Sequence, residues 1–241
     1  YFGYACAMII FGKQLFLHTL KHYKNKIIRL MLAKEVDKEI FNLINKAGIK
    51  IERVDAKKAQ ALARGGNHQG FLAEVSEYEF CELKTLKNAK SLVVLSKISD
   101  VGNIGSIVRS CVCLGADGLI IINNQALSQS AISGVLRASS AAAYELDIAQ
   151  TSDELSLLNE LKMAGFALFA ADMNGVDIKE FIKNNEKPEK FALIMGSEGA
   201  GLSKKTLNKC DKTLAIKMQN GFESLNVAVA CALIFDRIKN G

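Results

Sequence analysis

Histidine, proline and paired cysteines are scarce in this 241-residue chain, and each scarcity removes a class of chemistry. The three histidines, His18, His22 and His68, all fall in the first third. A Ser-His-Asp triad therefore lacks its base anywhere in the second half. His18 and His22 stand four apart on a possible helix but have no third ligand, and none of the six cysteines forms a C-x-x-C pair. No metal site is expected. Cys6, Cys81, Cys111, Cys113, Cys210 and Cys231 read as reduced thiols of a cytoplasmic protein, three of them (Cys111, Cys113, Cys231) in apolar helical surroundings. There is no run of about 18 uninterrupted apolar residues, so no membrane span is expected. Tyr1 to Phe11 is apolar but has neither a basic leader nor a cleavage site, which argues against a signal peptide. Met8 is a candidate for the native start. The single proline, Pro188, lies in a charged loop before a strand.

Apolar residues make up 49% of the chain and charged residues 23%, ordinary values for a globular protein. The charge is unevenly placed. Residues 1–75 hold 13 Lys and Arg against 6 Asp and Glu, whereas residues 76–241 hold 18 against 19. The whole positive excess lies in the N-terminal third, as in a module that meets a polyanion, although a solvated basic surface reads the same.

The hydrophobic pattern alternates between strand and helix along the chain. Residues 8–75 read as a small α/β domain: helix 14–22, strand 27–33, helix 36–47 closed by Gly48, strand 49–54, helix 56–63 and strand 71–75. Residues 76–90 are charged and weakly periodic, as in a linker. Residues 91–241 form a second α/β series. Its strands are expected at 92–95, 118–122, 145–148, 166–170, 191–195 and 213–216, and its helices at 104–114, 131–136, 153–164 and 224–238. Continuous apolar strands alternating with helices imply a parallel sheet covered on both faces.

Three clusters in the second series sit where such strands end, the usual place for ligands in open α/β sheets. The first is Asp100-Val-Gly-Asn-Ile-Gly-Ser-Ile-Val-Arg-Ser. Asn103 is a possible helix cap and Arg109 projects away from the apolar stripe; a capped helix with one solvated arginine has the same pattern. The second is Ile194-Met-Gly-Ser-Glu-Gly-Ala-Gly-Leu-Ser. Its glycine spacing is neither the dinucleotide fingerprint nor a P-loop, and Glu198 would repel phosphate while suiting a cationic or hydroxyl-bearing ligand. The third is Ile216-Lys-Met-Gln-Asn-Gly-Phe-Glu-Ser-Leu-Asn-Val-Ala-Val-Ala. Ser224 is a natural N-cap for the following helix, with Asn226 in its first turn; plain capping is the competing explanation. In the first domain, Gly65-Gly-Asn-His-Gln-Gly is a polar loop around His68 that suits either a turn or a partner contact.

In this order, the three clusters resemble the motifs of the SpoU/TrmH branch of the SPOUT RNA methyltransferases. The resemblance rests on Asp100, Asn103, Gly105, Arg109 and Ser110; on Gly196, Glu198, Gly199 and Gly201; and on Ile216, Met218, Ser224, Leu225, Asn226 and Val227. It covers roughly residues 92–238. Two family prolines are replaced, by Val101 and by Lys217, which touches loop rigidity and no functional side chain. The first domain, ending in His68-Gln-Gly-Phe-Leu-Ala-Glu-Val, resembles the L30e-like substrate-binding domain of the bacterial 23S rRNA guanosine 2'-O-methyltransferases.

The resemblance implies a SPOUT domain with a trefoil knot and a homodimer whose interface includes the active site. It implies S-adenosylmethionine held near Met195, Gly196, Ile216, Met218 and Leu225. It implies methyl transfer to a ribose 2'-hydroxyl of RNA, 23S rRNA in this subgroup, with Arg109, Asn103, Glu198, Ser224 and Asn226 in the active site. Arginine is a demanding base, since a guanidinium ordinarily holds its proton to above about pH 12. Phosphate binding and positioning of the hydroxyl suit Arg109 better. A tRNA substrate, or a non-catalytic RNA-binding or assembly role, are the alternatives; retention of Arg109, Glu198, Ser224 and Asn226 argues against the last.

Overall fold

In the computed structural model, residues 8–184, 188–218 and 224–241 are described. The chain divides into two units. The first unit opens with β1 (Met8–Phe11), α1 (Lys13–His22), β2 (Ile27–Leu32), α2 (Lys38–Ala47), β3 (Ile51–Arg53), α3 (Ala56–Leu62) and β4 (Phe71–Val75). Its sheet runs β1-β4-β2-β3. β4 lies antiparallel to β1 and to β2, and β2 runs parallel to β3. The helices start where the sequence offers a capping carboxylate. Asp37 accepts the Ile40 amide and Asp55 the Lys58 amide. α2 stops at Gly48, which takes the left-handed conformation expected of a C-terminal glycine.

The second unit begins with the short helix α4 (Leu83–Leu86), inside the stretch that reads as a linker, and continues through β5 (Ser91–Ser96), α5 (Val101–Leu114) and β6 (Gly118–Ile122). Next comes α6 (Gln129–Ala138), and here sequence order and packing part company. Residues 128–141 belong to the first unit, where α6 packs against β1 and the Ser133 hydroxyl donates to the Ile9 carbonyl at 2.6 Å. The chain then returns through β7 (Asp147–Thr151), α7 (Glu154–Met163), β8 (Ala167–Asp177), α8 (Ile178–Asn184), β9 (Phe191–Met195), α9 (Lys204–Lys209), β10 (Lys212–Ala215) and α10 (Val227–Asn240).

The sheet of this unit has the order β10-β8-β9-β5-β6-β7, and every neighbouring pair is parallel. β5, β6 and β9 are buried at every position, which is why they read as unbroken apolar runs. One face of the sheet buries Leu92, Val94, Ile120 and Ile194 with Leu158 and Leu161 of α7. α10 packs against α5, α8 and β9, with the Phe235 and Phe191 rings tilted against each other at 5.4 Å between centroids. β10 joins the sheet beyond β8, so the path from β9 to β10 passes β8.

Several boundaries differ from those the sequence suggests. Asn103 is not the cap of α5. Asp100 is, its carboxylate accepting the Asn103 amide at 2.7 Å. Ser224 is not the cap of α10 either; Asn226 caps it, accepting the Ala228 amide at 2.9 Å, and the helix starts at Val227. β8 runs seven residues past Ala170, to Asp177. Its partner register on β10 jumps from Ala170 to Val176, so residues 171–175 leave the ladder. The loop segment 219–223 of the third cluster lies outside the described residues.

Candidate active site

At the C-terminal ends of β8, β9 and β10, the second unit opens a cavity of about 630 Å³. Parallel strands end here together, so main-chain groups and turns converge on one place. The walls come from Ala171–Met173 after the paired part of β8, Met195 and Gly196 after β9, and Leu214–Ile216 with Met218 from β10. Ser224–Val227 and the first turns of α10 complete them. The cavity therefore brings together Met195, Gly196, Glu198, Ile216, Met218, Ser224, Leu225 and Asn226, which lie in two separate clusters of the sequence.

The glycines of the second cluster have a steric reason. A Cβ on Gly196 would stand 2.5 Å from the Gly201 carbonyl carbon and 2.8 Å from the Leu202 nitrogen. The turn folds back on itself there through an antiparallel bridge between Ser197 and Gly201, closed by the Gly201 amide donating to the Ser197 carbonyl. Any larger residue would open the turn and move Glu198.

Glu198 is the node of the site. Its Oε1 accepts from Asn103 Nδ2 at 3.0 Å and from Asn226 Nδ2 at 3.4 Å, while Asn226 Nδ2 also donates to Asn103 Oδ1 at 2.9 Å. One side chain from each of the three clusters meets in this network. Asn226 serves twice, since its Oδ1 caps α10 while its Nδ2 reaches the network. As the cap, Asn226 has both polar atoms engaged.

Asn103 thus reaches the cavity through Glu198 and Asn226 but does not line it. Arg109, on the exposed face of α5, does not line it either. The residue that sequence reasoning missed is Asp172. It lines the cavity with its Oδ1 fixed by the Asn174 amide and Asn174 Nδ2, both at 3.0 Å. The signal was present: an acid two residues past the end of the expected strand 166–170.

Asp172 and Glu198 are the charged side chains of the lining, and among the described residues no lysine, arginine or histidine joins them. The rest is apolar or backbone. An acidic, partly apolar cavity of this size suits a small cationic ligand with an aromatic or aliphatic body.

Comparisons with known proteins give the chain a family. Residues 90–236 match the SpoU rRNA Methylase family. The chain belongs to that family. Residues 9–81 match a second family, RNA 2'-O ribose methyltransferase substrate binding. The chain is 30% identical over 236 residues to the putative TrmH family tRNA/rRNA methyltransferase YacO of Bacillus subtilis, covering 93% of this chain and 92% of that one. It is 29% identical over 221 residues to a putative TrmH family tRNA/rRNA methyltransferase of Staphylococcus aureus, covering 88% and 87%. The fold is that of the AdoMet-bound rRNA methyltransferase from Sinorhizobium meliloti, with TM-score 0.74, 21% identity and coverage of 97% and 87%. It is also that of the SpoU methyltransferase AviRb from Streptomyces viridochromogenes in complex with AdoMet, with TM-score 0.73, 21% identity and coverage of 96% and 89%. As a SpoU methylase the chain is an RNA methyltransferase that depends on S-adenosylmethionine, with a substrate-binding unit ahead of its catalytic one. The cavity passes the corresponding test: its two carboxylates and apolar walls fit a sulfonium cofactor with an adenine ring.

Proposed function

We propose that this enzyme methylates a ribose 2'-hydroxyl of ribosomal RNA. The observation that carries the reading is the Asn103–Glu198–Asn226 network, which draws all three clusters to the mouth of one acidic cavity. The family descriptions, one of rRNA methylases and one of 2'-O ribose substrate binding, support the same choice.

S-adenosylmethionine, when bound, supplies an electrophilic methyl group on a positively charged sulfur. Met195, Gly196, Ile216, Met218 and Leu225 would hold it, and Glu198 and Asp172 would offset its charge. Asn103 and Asn226 hold Glu198 in place, so its carboxylate is pre-organised before RNA arrives. The 2'-hydroxyl must lose its proton as its oxygen gains the methyl group, and the Glu198 carboxylate is the acceptor this network presents. Ser224 and Asn226 would bind the ribose. Arg109 would grip a phosphate and aim the hydroxyl, acting by position. The basic first unit would deliver the RNA through phosphate contacts.

The enzyme would act as a homodimer. Val229 and Leu233, one turn apart on α10, are 48% and 40% exposed, and a second copy of the same helix would cover them. An RNA substrate and free thiols, Cys111 and Cys231 among them buried, are in keeping with the cytoplasm.

A transfer assay tests the reading. Purified protein with methyl-labelled S-adenosylmethionine is expected to label bacterial rRNA lacking native modification and to leave tRNA unlabelled. Label in tRNA alone would move the substrate to tRNA. RNA binding with no transfer to either would leave a non-catalytic binding factor.

A further inference from the structure

Outside the cavity, two arginines of the first unit meet at a built corner. After α3 the chain enters β4 through the turn Arg64–Gly70. Arg64 and Gln69 there adopt left-handed backbone, with φ of 50° and 54°. Non-glycine residues take that conformation only where their surroundings enforce it. Between these two residues the turn packs against the Phe11 ring at the end of β1. A Cβ on Gly66 would lie 2.5 Å from Phe11 Cζ, so the turn rests directly on the ring. The same ring carries Arg137 of α6, whose guanidinium carbon lies 4.3 Å from the ring centroid.

α6 holds both arginines. Arg137 Nη1 donates to the Ser133 hydroxyl at 3.4 Å, and that hydroxyl is itself fixed on the Ile9 carbonyl. Arg64 Nη1 donates to the Ser130 hydroxyl. Ser130, Ser133 and Arg137 follow one another at spacings of three and four, on one face of the helix. The two guanidiniums are thus anchored by hydroxyls. Among the described residues neither has a carboxylate partner, whereas Arg29 of the same unit is paired with both Glu52 and Glu74. Burial, and then the charge of Arg64, lower the pKa of Arg137. Two like charges held together on a scaffold this specific lack the counter-ion that would favour the arrangement. Each guanidinium keeps further N–H donors in a planar fork, the geometry that matches phosphate.

We propose that Arg64 and Arg137 form a phosphate-binding site that grips the backbone of the RNA substrate. The site rests on the RNA reading above and gives the basic first unit a definite point of contact. Backbone contacts of this kind set register and carry no base preference.

The test is fluorescence anisotropy of the full chain with a fluorescein-labelled RNA hairpin, repeated across a salt series. The Arg64→Gln/Arg137→Gln variant is expected to bind at least tenfold more weakly than wild type near physiological salt. The slope of log affinity against log salt should flatten by about 1.5, since each lost phosphate contact removes about 0.7 to 0.9. Affinity for S-adenosylmethionine, read by calorimetry, should not change. Arg64→Lys/Arg137→Lys should regain the slope, because charge is kept, and only part of the affinity, because the fork is lost. Arg64→Gln alone, which leaves the contact with Phe11 intact, should flatten the slope by about half as much. Wild-type affinity and slope in the double glutamine variant would overturn the site. So would a lysine variant no better than the glutamine one, since packing on Phe11 and not charge would then be the cause. If the wild-type chain binds no RNA, the RNA reading itself fails.

Discussion

Asn226→Ala removes one side chain that does two jobs, and the two can be separated. The capping oxygen accepts the Ala228 amide, and its loss at an N-cap costs about 1 kcal/mol. The amide nitrogen donates to Asn103 and, at 3.4 Å, to Glu198. These bonds are exposed to solvent, so together they contribute about 1 kcal/mol more. The sum, about 2 kcal/mol, corresponds to a fall of roughly 4 to 8 °C in the melting temperature for a chain of this size. Asn226→Asp keeps a capping oxygen and loses the donor, leaving a carboxylate against Glu198. It should recover about half of the fall in melting temperature, the share that the cap contributes, since an acid at a helix N-terminus is favourable, yet lose transfer activity as fully as Asn226→Ala. Differential scanning calorimetry and the transfer assay on the same preparations read the two effects. If Asn226→Asp melts as low as Asn226→Ala while keeping wild-type activity, the cap and the network have been assigned to the wrong atoms.

Three further outcomes are expected. Asp172→Asn should weaken S-adenosylmethionine binding by about 1 kcal/mol, roughly fivefold, while S-adenosylhomocysteine, uncharged at sulfur, binds nearly as before; equal losses in calorimetry would mean that Asp172 holds another part of the ligand. Arg109→Ala should abolish transfer and leave cofactor affinity nearly unchanged, because Arg109 stands outside the cavity lining; parallel loss of cofactor binding would contradict a positioning role. Asp117 ties β5 in place by accepting the Lys90 and Ser91 amides and the Ser91 hydroxyl, and although burial raises its pKa, these bonds and the charge of Lys239 bring it below the usual aspartate value. A carboxylate depressed on folding contributes stability above its unfolded pKa and loses it as pH falls through the folded one. Asp117→Ala should therefore cost about 2 kcal/mol at neutral pH and show a shallower loss of stability below about pH 4, and urea melts with the wild-type acid slope would count against this.

The legibility of the fold followed burial. β6 and β9 carry the boundaries the sequence suggests because both are unbroken apolar runs ending at polar or glycine residues. The outer part of β8, Asp172-Met-Asn-Gly, is polar and half-exposed and reads as a loop; it leaves the ladder, and pairing with β10 resumes only at Val176 and Asp177. α9 has six residues and no room for a helical period, so only its Ser203 cap could announce it. The place of α6 was invisible for another reason. The contact of Ser133 with Ile9 spans 124 positions and leaves no local pattern.

The site was legible as a set of clusters, since strand ends followed by glycine, asparagine and acid mark a ligand place. Which polar residue does what was not. Ser224 and Asn226 are both good caps, and Asp100 and Asn103 compete in the same way; choosing between them needs the backbone path. The choice matters, because an Asn226 busy as the cap still has its amide nitrogen free to reach across the cavity mouth to Asn103 and Glu198.

The most direct measurement of the central claim is the chemical position of the transferred methyl group. Unmodified rRNA is incubated with purified enzyme and S-adenosylmethionine, digested to nucleosides and resolved by mass spectrometry. A ribose 2'-O-methyl nucleoside, absent when Arg109→Ala replaces the wild type, is the expected product. A methyl group on a base, or none at all while cofactor and RNA both bind, would contradict it.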